Sequence, residues 1–155
     1  MRRMIFLFFS LVALLCGCSE EHVAERHQYV HFMLPDGTSQ AVVLTDVDAL
    51  TTYYVYLVSA PLSEAMTVEY AVEAGAGLTE GVDYEVLGEE HRLTFLPGVY
   101  EMPIRVRWMP HTVSPTADNR LTLRLTRCSD AGFALGMPGP DGVCGTLVFN
   151  KRNPN

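Results

Sequence analysis

Met66-Thr67-Val68-Glu69-Tyr70-Ala71-Val72-Glu73 is the stretch on which the fold class turns. Its Glu, Ala and Met are good helix formers, and residues 63–74 are the one place where a helix competes. Met66, Val68, Tyr70 and Val72 nevertheless alternate with Thr67, Glu69, Ala71 and Glu73, so apolar residues recur at spacing two rather than three or four. A helix would scatter those side chains around its axis, whereas a strand gathers them on one face. The same alternation appears downstream, with Ile104, Val106 and Trp108 set against Arg105 and Arg107, and Leu121, Leu123 and Leu125 against Thr122, Arg124 and Thr126. Such strands place one face on a core and the other in water.

Working outward, residues 52–59 form a Tyr- and Val-rich run that stops before Pro61. Residues 29–34 form a first strand closed by Pro35-Asp36-Gly37, where Pro sets φ and Gly accepts a positive φ. Residues 40–45, 83–86, 92–96 and 146–149 complete the set, with turn residues between them, and residues 151–155 read as a frayed tail. Short strands with frequent turns predict an all-β fold, a two-sheet antiparallel β-sandwich of about 7–9 strands over residues 29–150.

The N-terminus has a different composition. Arg2 and Arg3 precede an apolar run from Met4 to Cys16, and Leu15-Cys16-Gly17-Cys18 is followed at once by Ser19-Glu20-Glu21. A charged start, an apolar run and a small-residue cleavage point make a secretory signal peptide over residues 1–17. The run is shorter than the roughly 20 residues a spanning helix needs. Its ending resembles the bacterial lipobox, which implies that Cys18 is acylated and becomes the first mature residue. Residues 18–28 are then a lipidated tether, whose ten residues after Cys18 reach about 33–36 Å at full extension. The expected address is the outer membrane, with the domain anchored by lipid and exposed at the cell surface.

Removing residues 1–17 from the 155 leaves 138, the size of one domain. The chain carries 11 Lys and Arg against 18 Asp and Glu, and loss of Arg2 and Arg3 leaves the mature form at −9. Nucleic acid is excluded as an expected partner, because phosphate backbones are held by clustered Lys and Arg. Anionic lipid is disfavoured on the same ground, which leaves the acyl chain as the attachment. Of four cysteines, Cys16 and Cys18 belong to the export segment. Cys128 and Cys144 remain, and an oxidising compartment favours a disulfide between them.

One block resembles a family: Gly81-Val82-Asp83-Tyr84, then Leu93-Thr94-Phe95-Leu96-Pro97-Gly98, then Ile104-Arg105-Val106, then Leu121-Thr122-Leu123-Arg124-Leu125. These steps are similar, in order, to a Calx-beta repeat, and similar patterns occur in uncharacterised Bacteroidetes surface lipoproteins. The resemblance implies an immunoglobulin-like sandwich. It also raises calcium, which Calx-beta domains hold with clustered carboxylates at one end of the sandwich. Only Asp83 matches a family position, with Glu80 and Asp118 as further candidates, and the place after the Ile-x-Val strand reads Trp108-Met109-Pro110-His111 instead of acidic residues. Calcium asks for about six to eight oxygen ligands.

His22, His27 and His31 fit neither an HExxH pair nor a zinc finger. No Gly-x-Ser-x-Gly elbow is present, and the expectation is a protein without enzymatic activity or cofactor. Tyr54 and Tyr56 share a strand face and offer a candidate platform for a sugar ring. The function expected is adhesion or accessory binding of an outer-membrane or extracellular protein, with glycan or calcium binding as the alternative.

Overall fold

The stretch beginning at Met66 is a strand, with Met66, Val68 and Tyr70 buried and Glu73 exposed. The computed structural model describes residues 27–88, 90–139 and 142–155. They form β1 (Tyr29–Phe32), β2 (Gln40–Leu44), β3 (Ala49–Val58), β4 (Met66–Ala74), β5 (Tyr84–Leu87), β6 (Arg92–Phe95), β7 (Glu101–Trp108), β8 (Arg120–Cys128), β9 (Ala134–Leu135) and β10 (Thr146–Arg152). Among the described residues there is no helix. The signal peptide, Cys18, His22 and nearly all of the expected tether lie outside the described residues.

Sheet A runs β5-β7-β3-β1-β9 and sheet B runs β2-β10-β8-β4-β6, five strands each. Most neighbours are antiparallel, but β1 with β9 and β2 with β10 are parallel. The turn at Pro35-Asp36-Gly37 therefore does not make a hairpin: it carries the chain from one sheet to the other. Asp36 Oδ1 accepts from the amide and the hydroxyl of Thr38, and Gly37 sits at φ 80°, where a Cβ would be strained. All four sheet edges are short, two to five residues, which limits edge-to-edge association.

The inward faces interlock around three aromatic rings. Trp108 on β7 packs edge-on against Phe149 on β10, and Tyr53 on β3 tilts against the same Phe149. The Trp108 indole N–H donates to the Tyr53 hydroxyl at 3.1 Å, so the polar tips of both rings are satisfied inside the core. Val30, Phe32, Val55, Val68, Phe95, Val106, Leu121 and Leu123 fill the remainder, all fully buried.

Two elements differ from expectation. β9 has two residues and no alternation to read, and it forms only because its backbone pairs with β1. The last strand extends to Arg152 instead of stopping at Phe149, so Lys151, expected in a frayed tail, is a core residue with 1% of its surface exposed. The amide of Asn153 prolongs the closure: it accepts from the Val113 N–H and donates to the Val113 carbonyl.

Lys151 is the only lysine in the chain. Its Nζ donates to Asp83 Oδ1 at 2.9 Å, to the Asp83 carbonyl at 3.1 Å and to the Met109 carbonyl at 2.7 Å. All three ammonium protons are thus used. Asp83, equally buried, also takes the Thr79 amide on Oδ2 and the His111 ring on Oδ1. The contact ties the end of β10 in sheet B to the start of β5 and the end of β7 in sheet A. Burial by itself raises the Asp83 carboxyl, but the Thr79 amide, the Lys151 ammonium and the His111 ring together outweigh it and hold the group below its ordinary value.

Removing one partner leaves an unpaired buried charge, so Lys151→Met is expected to cost about 3–5 kcal/mol in denaturant unfolding. Lys151→Arg is not conservative here, because a planar fork replaces a point charge among three converging oxygens, and it is expected to cost about 1–3 kcal/mol. An amine-acylating reagent is expected to modify Lys151 only after the protein is unfolded, as read by peptide mass. Because the folded Asp83 carboxyl is depressed, its contribution to stability is complete above the unfolded value of about 3.9 and is lost as pH falls through the folded value. Urea midpoints measured from pH 5 downward should fall more steeply for the natural protein than for Asp83→Asn.

Candidate functional site

Alternation gives each sheet an outer face, and the two outer faces differ in chemistry. On sheet B, Glu73 of β4 pairs with Arg124 of β8. Glu69 lies between Arg92 at 3.5 Å and Arg127 at 3.9 Å, and Arg92 also reaches Glu90 at 3.3 Å. Exposed pairs of this kind contribute little to stability, but they leave the face hydrated.

The corresponding side of sheet A is mixed: Glu85, Glu101, Arg105 and Arg107 project from β5 and β7, and an apolar and aromatic patch lies over β3 and β1. In β3 the inward positions are Tyr53, Val55 and Leu57, so Leu50, Tyr54, Tyr56 and Val58 point outward; Leu50 is 56% exposed and Tyr54 38%. Register sets Leu50 opposite Arg107, Tyr54 opposite Pro103 and Tyr56 opposite Glu101 on β7. On the other side, His31 and Tyr29 of β1 lie opposite Tyr56 and Val58. Met33 and Leu87 are exposed as well.

Four rings form a row across this face. Tyr29 to His31, His31 to Tyr56 and Tyr56 to Tyr54 have centroid separations of 5.4, 5.7 and 6.2 Å, each pair tilted. His31 occupies an outward position yet is buried, flanked by Tyr29 and Tyr56. Its Nδ1–H donates to the Phe32 carbonyl at 3.1 Å. The structure thus places Tyr54 and Tyr56 together, as their spacing predicted, and adds Tyr29 and His31 from a strand remote in sequence.

The carboxylates raised as calcium ligands do not converge. Asp83 is committed to Lys151, Thr79 and His111. Asp118 is engaged bidentately by the Arg120 guanidinium at 2.8 and 2.9 Å, which holds its carboxyl below the ordinary value. Glu80 is exposed in the turn before β5. Among the described residues no three His, Cys, Asp or Glu side chains are grouped as a metal ion requires. Asp83 is a structural ion-pair partner.

Cys128 and Cys144 are free thiols, so the expected disulfide is not present in the structure. Cys128 packs against the core because the β4–β8 ladder shifts register between Glu69 and Tyr70, which turns the end of β8 and sets Cys128 opposite Val68. Burial pushes its thiol above the ordinary value. His27 is exposed at the start of the described chain, and His31 lies within β1, so the structure does not join them.

His111 receives one orienting contact, from Asp83, as a catalytic imidazole would. The Asp83 charge is already met by Lys151, and among the described residues no hydroxyl or thiol is hydrogen-bonded to the His111 ring. The arrangement orients a loop.

No family model matches the chain, and no curated protein matches it.

Proposed function

We propose that this chain is a non-catalytic lipoprotein module, anchored at Cys18 to the outer membrane and exposed at the cell surface, that engages a protein partner through the outer face of sheet A. The observation that carries this reading is the patch over β1 and β3 of sheet A, where Leu50, Tyr54, Val58 and Met33 are exposed around the ring row; the middle of sheet B carries ion pairs, with Val42 and Leu44 exposed on its edge strand β2. Aromatic residues and Met are enriched at interfaces, which matches the Tyr and Met content of that patch. The signal-peptide layout and the lipobox-like ending support the anchor. The fold is read as an immunoglobulin-like sandwich of the Calx-beta kind. Support comes from the Gly81-to-Leu125 block and from a first segment divided between the sheets as β1 and β2.

A second reading is favoured by one observation, the ring row Tyr29, His31, Tyr56 and Tyr54. Sugar C–H groups stack on such rings, so an extended glycan is the other occupant of the same face. The rings are tilted by 31–44° and not coplanar, which suits a partner that adapts to them better than a flat one.

Photo-crosslinking amino acids at Leu50 and Tyr54, compared with Thr122 and Arg124 on sheet B, separate these outcomes in native cells. Adducts with an outer-membrane or extracellular protein from sheet A alone are expected, and equal yields from both faces would overturn the reading. Tyr54→Ala is expected to weaken partner retention about tenfold or more, while changing stability by no more than about 0.5 kcal/mol. If Tyr54→Ala instead abolishes binding on a glycan array with no protein adduct, the occupant is carbohydrate.

A further inference from the structure

The sandwich has two ends of different character. At one end lie the loops around Asp46, Asp48, Glu80 and Asp118, all exposed carboxylates, together with the C-terminus of β10. β1 runs from the opposite end, since Tyr29 pairs with Val58, the last residue of β3, whose first residue Ala49 lies opposite Trp108 at the acidic end. The chain therefore enters the domain at the end away from the carboxylate cluster, at Gln28.

At this entry end the turn from β6 of sheet B to β7 of sheet A carries Leu96 and Tyr100, and Val58 and Tyr29 of sheet A lie beside it. Leu96-Pro97-Gly98-Val99-Tyr100 is a tight turn closed by the Val99 amide donating to the Leu96 carbonyl, with Gly98 at φ 85°. Val99 turns inward against the core, and Leu96 and Tyr100 are left 55% and 41% exposed. The Leu57 amide donates to the Tyr100 carbonyl, which sets the turn beside Val58, and Val58 stands opposite Tyr29, one residue after the point of entry. Nothing in the fold requires a leucine at position 96, because its side chain supports no core contact that a polar turn residue would lose. The charges at this end are Glu64 and Asp130 on other loops, Arg127 at the end of β8, and Glu101, which follows Tyr100 and stands opposite Tyr56.

We infer that this end of the domain rests on the lipid bilayer, with Leu96, Tyr100, Val58 and Tyr29 contacting the interfacial region of a zwitterionic membrane. The inference rests on the proposed acylation of Cys18. Ten residues separate that cysteine from Tyr29, and even fully extended they reach only about 33–36 Å, so the entry end is confined to the first tens of ångströms above the lipid. Within that range apolar residues beside the tether meet the membrane repeatedly without any loss of translational freedom beyond what the anchor already imposes. Tyrosine and leucine suit the site, the first amphipathic with its hydroxyl at headgroup level, the second buried at the acyl boundary. The occupant is lipid and not a second copy, because these residues adjoin Gln28, where the tether from the proposed anchor enters the domain. In this pose the loops carrying Asp46, Asp48, Glu80 and Asp118 point away from the membrane, and the part of the ring row from His31 to Tyr54 stands sideways, open to a neighbour on the same membrane.

The test uses the full protein purified from its native membrane and placed in phosphatidylcholine vesicles with brominated acyl chains. Trp108 is the only tryptophan and lies in the core, so its emission serves as an internal reference. Leu96→Trp adds an indole at the entry end, and Leu50→Trp adds one at equal exposure toward the acidic end. The mass of the protein is read first: a Cys18 without acyl chains overturns the anchor and the contact with it. With acylation present, loss of emission from position 96 and none from position 50 is expected. Equal loss at both positions, or none at either, overturns the docking pose and leaves the anchor standing. Tyr100→Trp, an aromatic for an aromatic on the same turn, gives the same reading if Leu96→Trp fails to fold.

Discussion

The ammonium of Lys151 and the carboxylate of Asp83 form the contact on which the rest of the sandwich depends. Hydrophobic burial holds two sheets together but does not choose their alignment, since apolar side chains accept many relative positions. A buried ion pair accepts one. Lys151 Nζ sees only Asp83 Oδ1, the Asp83 carbonyl and the Met109 carbonyl, so β10 is pinned against the β4–β5 connection and the end of β7 at a single offset. Taking both charges out of water is costly, and a well-packed apolar pair of the same volume would do as well for stability alone. What the pair supplies is register. The parallel β2–β10 ladder beside it runs along that alignment, as does the Thr45 amide donating to the Arg152 carbonyl.

That closure at one end explains how the other surfaces are left free to vary. The core needs Trp108, Tyr53 and Phe149 where they are, and the loops around Asp83 need Thr79, His111 and Asn153. No such demand falls on the outward positions of β3 or on the turn before β7. Leucines and tyrosines at positions 50, 54, 96 and 100 make no contribution to the core that would account for them, yet each carries apolar surface into solvent. Single exposed leucines are ordinary, but a set gathered with a row of four rings on β1 and β3 is not.

The strands were legible because alternation is a local signal, visible in Met66 to Glu73 or Leu121 to Thr126 without knowing any partner. The helix-forming residues of β4 lost to that pattern because β6 and β8 pair with its backbone on both sides, the core between the sheets takes Met66, Val68 and Tyr70, and Glu69 and Glu73 meet arginines on the other face. What could not be read was whatever depends on a distant residue. β9 exists only through two pairings with β1. Lys151 looked like the start of a tail, since a charged residue followed by Arg, Asn and Pro has every local mark of one. The chain did hold a clue in its choice of a single lysine beside ten arginines, because a compact ammonium suits three converging oxygens and a guanidinium does not.

Asp83 shows most sharply how surroundings decide chemistry. As a residue in a Gly-x-Asp-Tyr step it invites comparison with carboxylates that hold calcium, and its oxygens are as capable of that as any. In this chain one oxygen is shared by an ammonium and an imidazole while the other caps the Thr79 amide, and each of these favours the charged carboxylate without offering it to a cation. Asp118 follows the same logic at the surface, closed off by Arg120. The carboxylates at the acidic end thus divide into those already engaged and those that stand apart, whereas the apolar residues at the entry end and on sheet A are open and adjacent. On the proposed reading, binding falls to the exposed apolar surface, while the buried charges hold the fold and the ion pairs of sheet B keep that face in water.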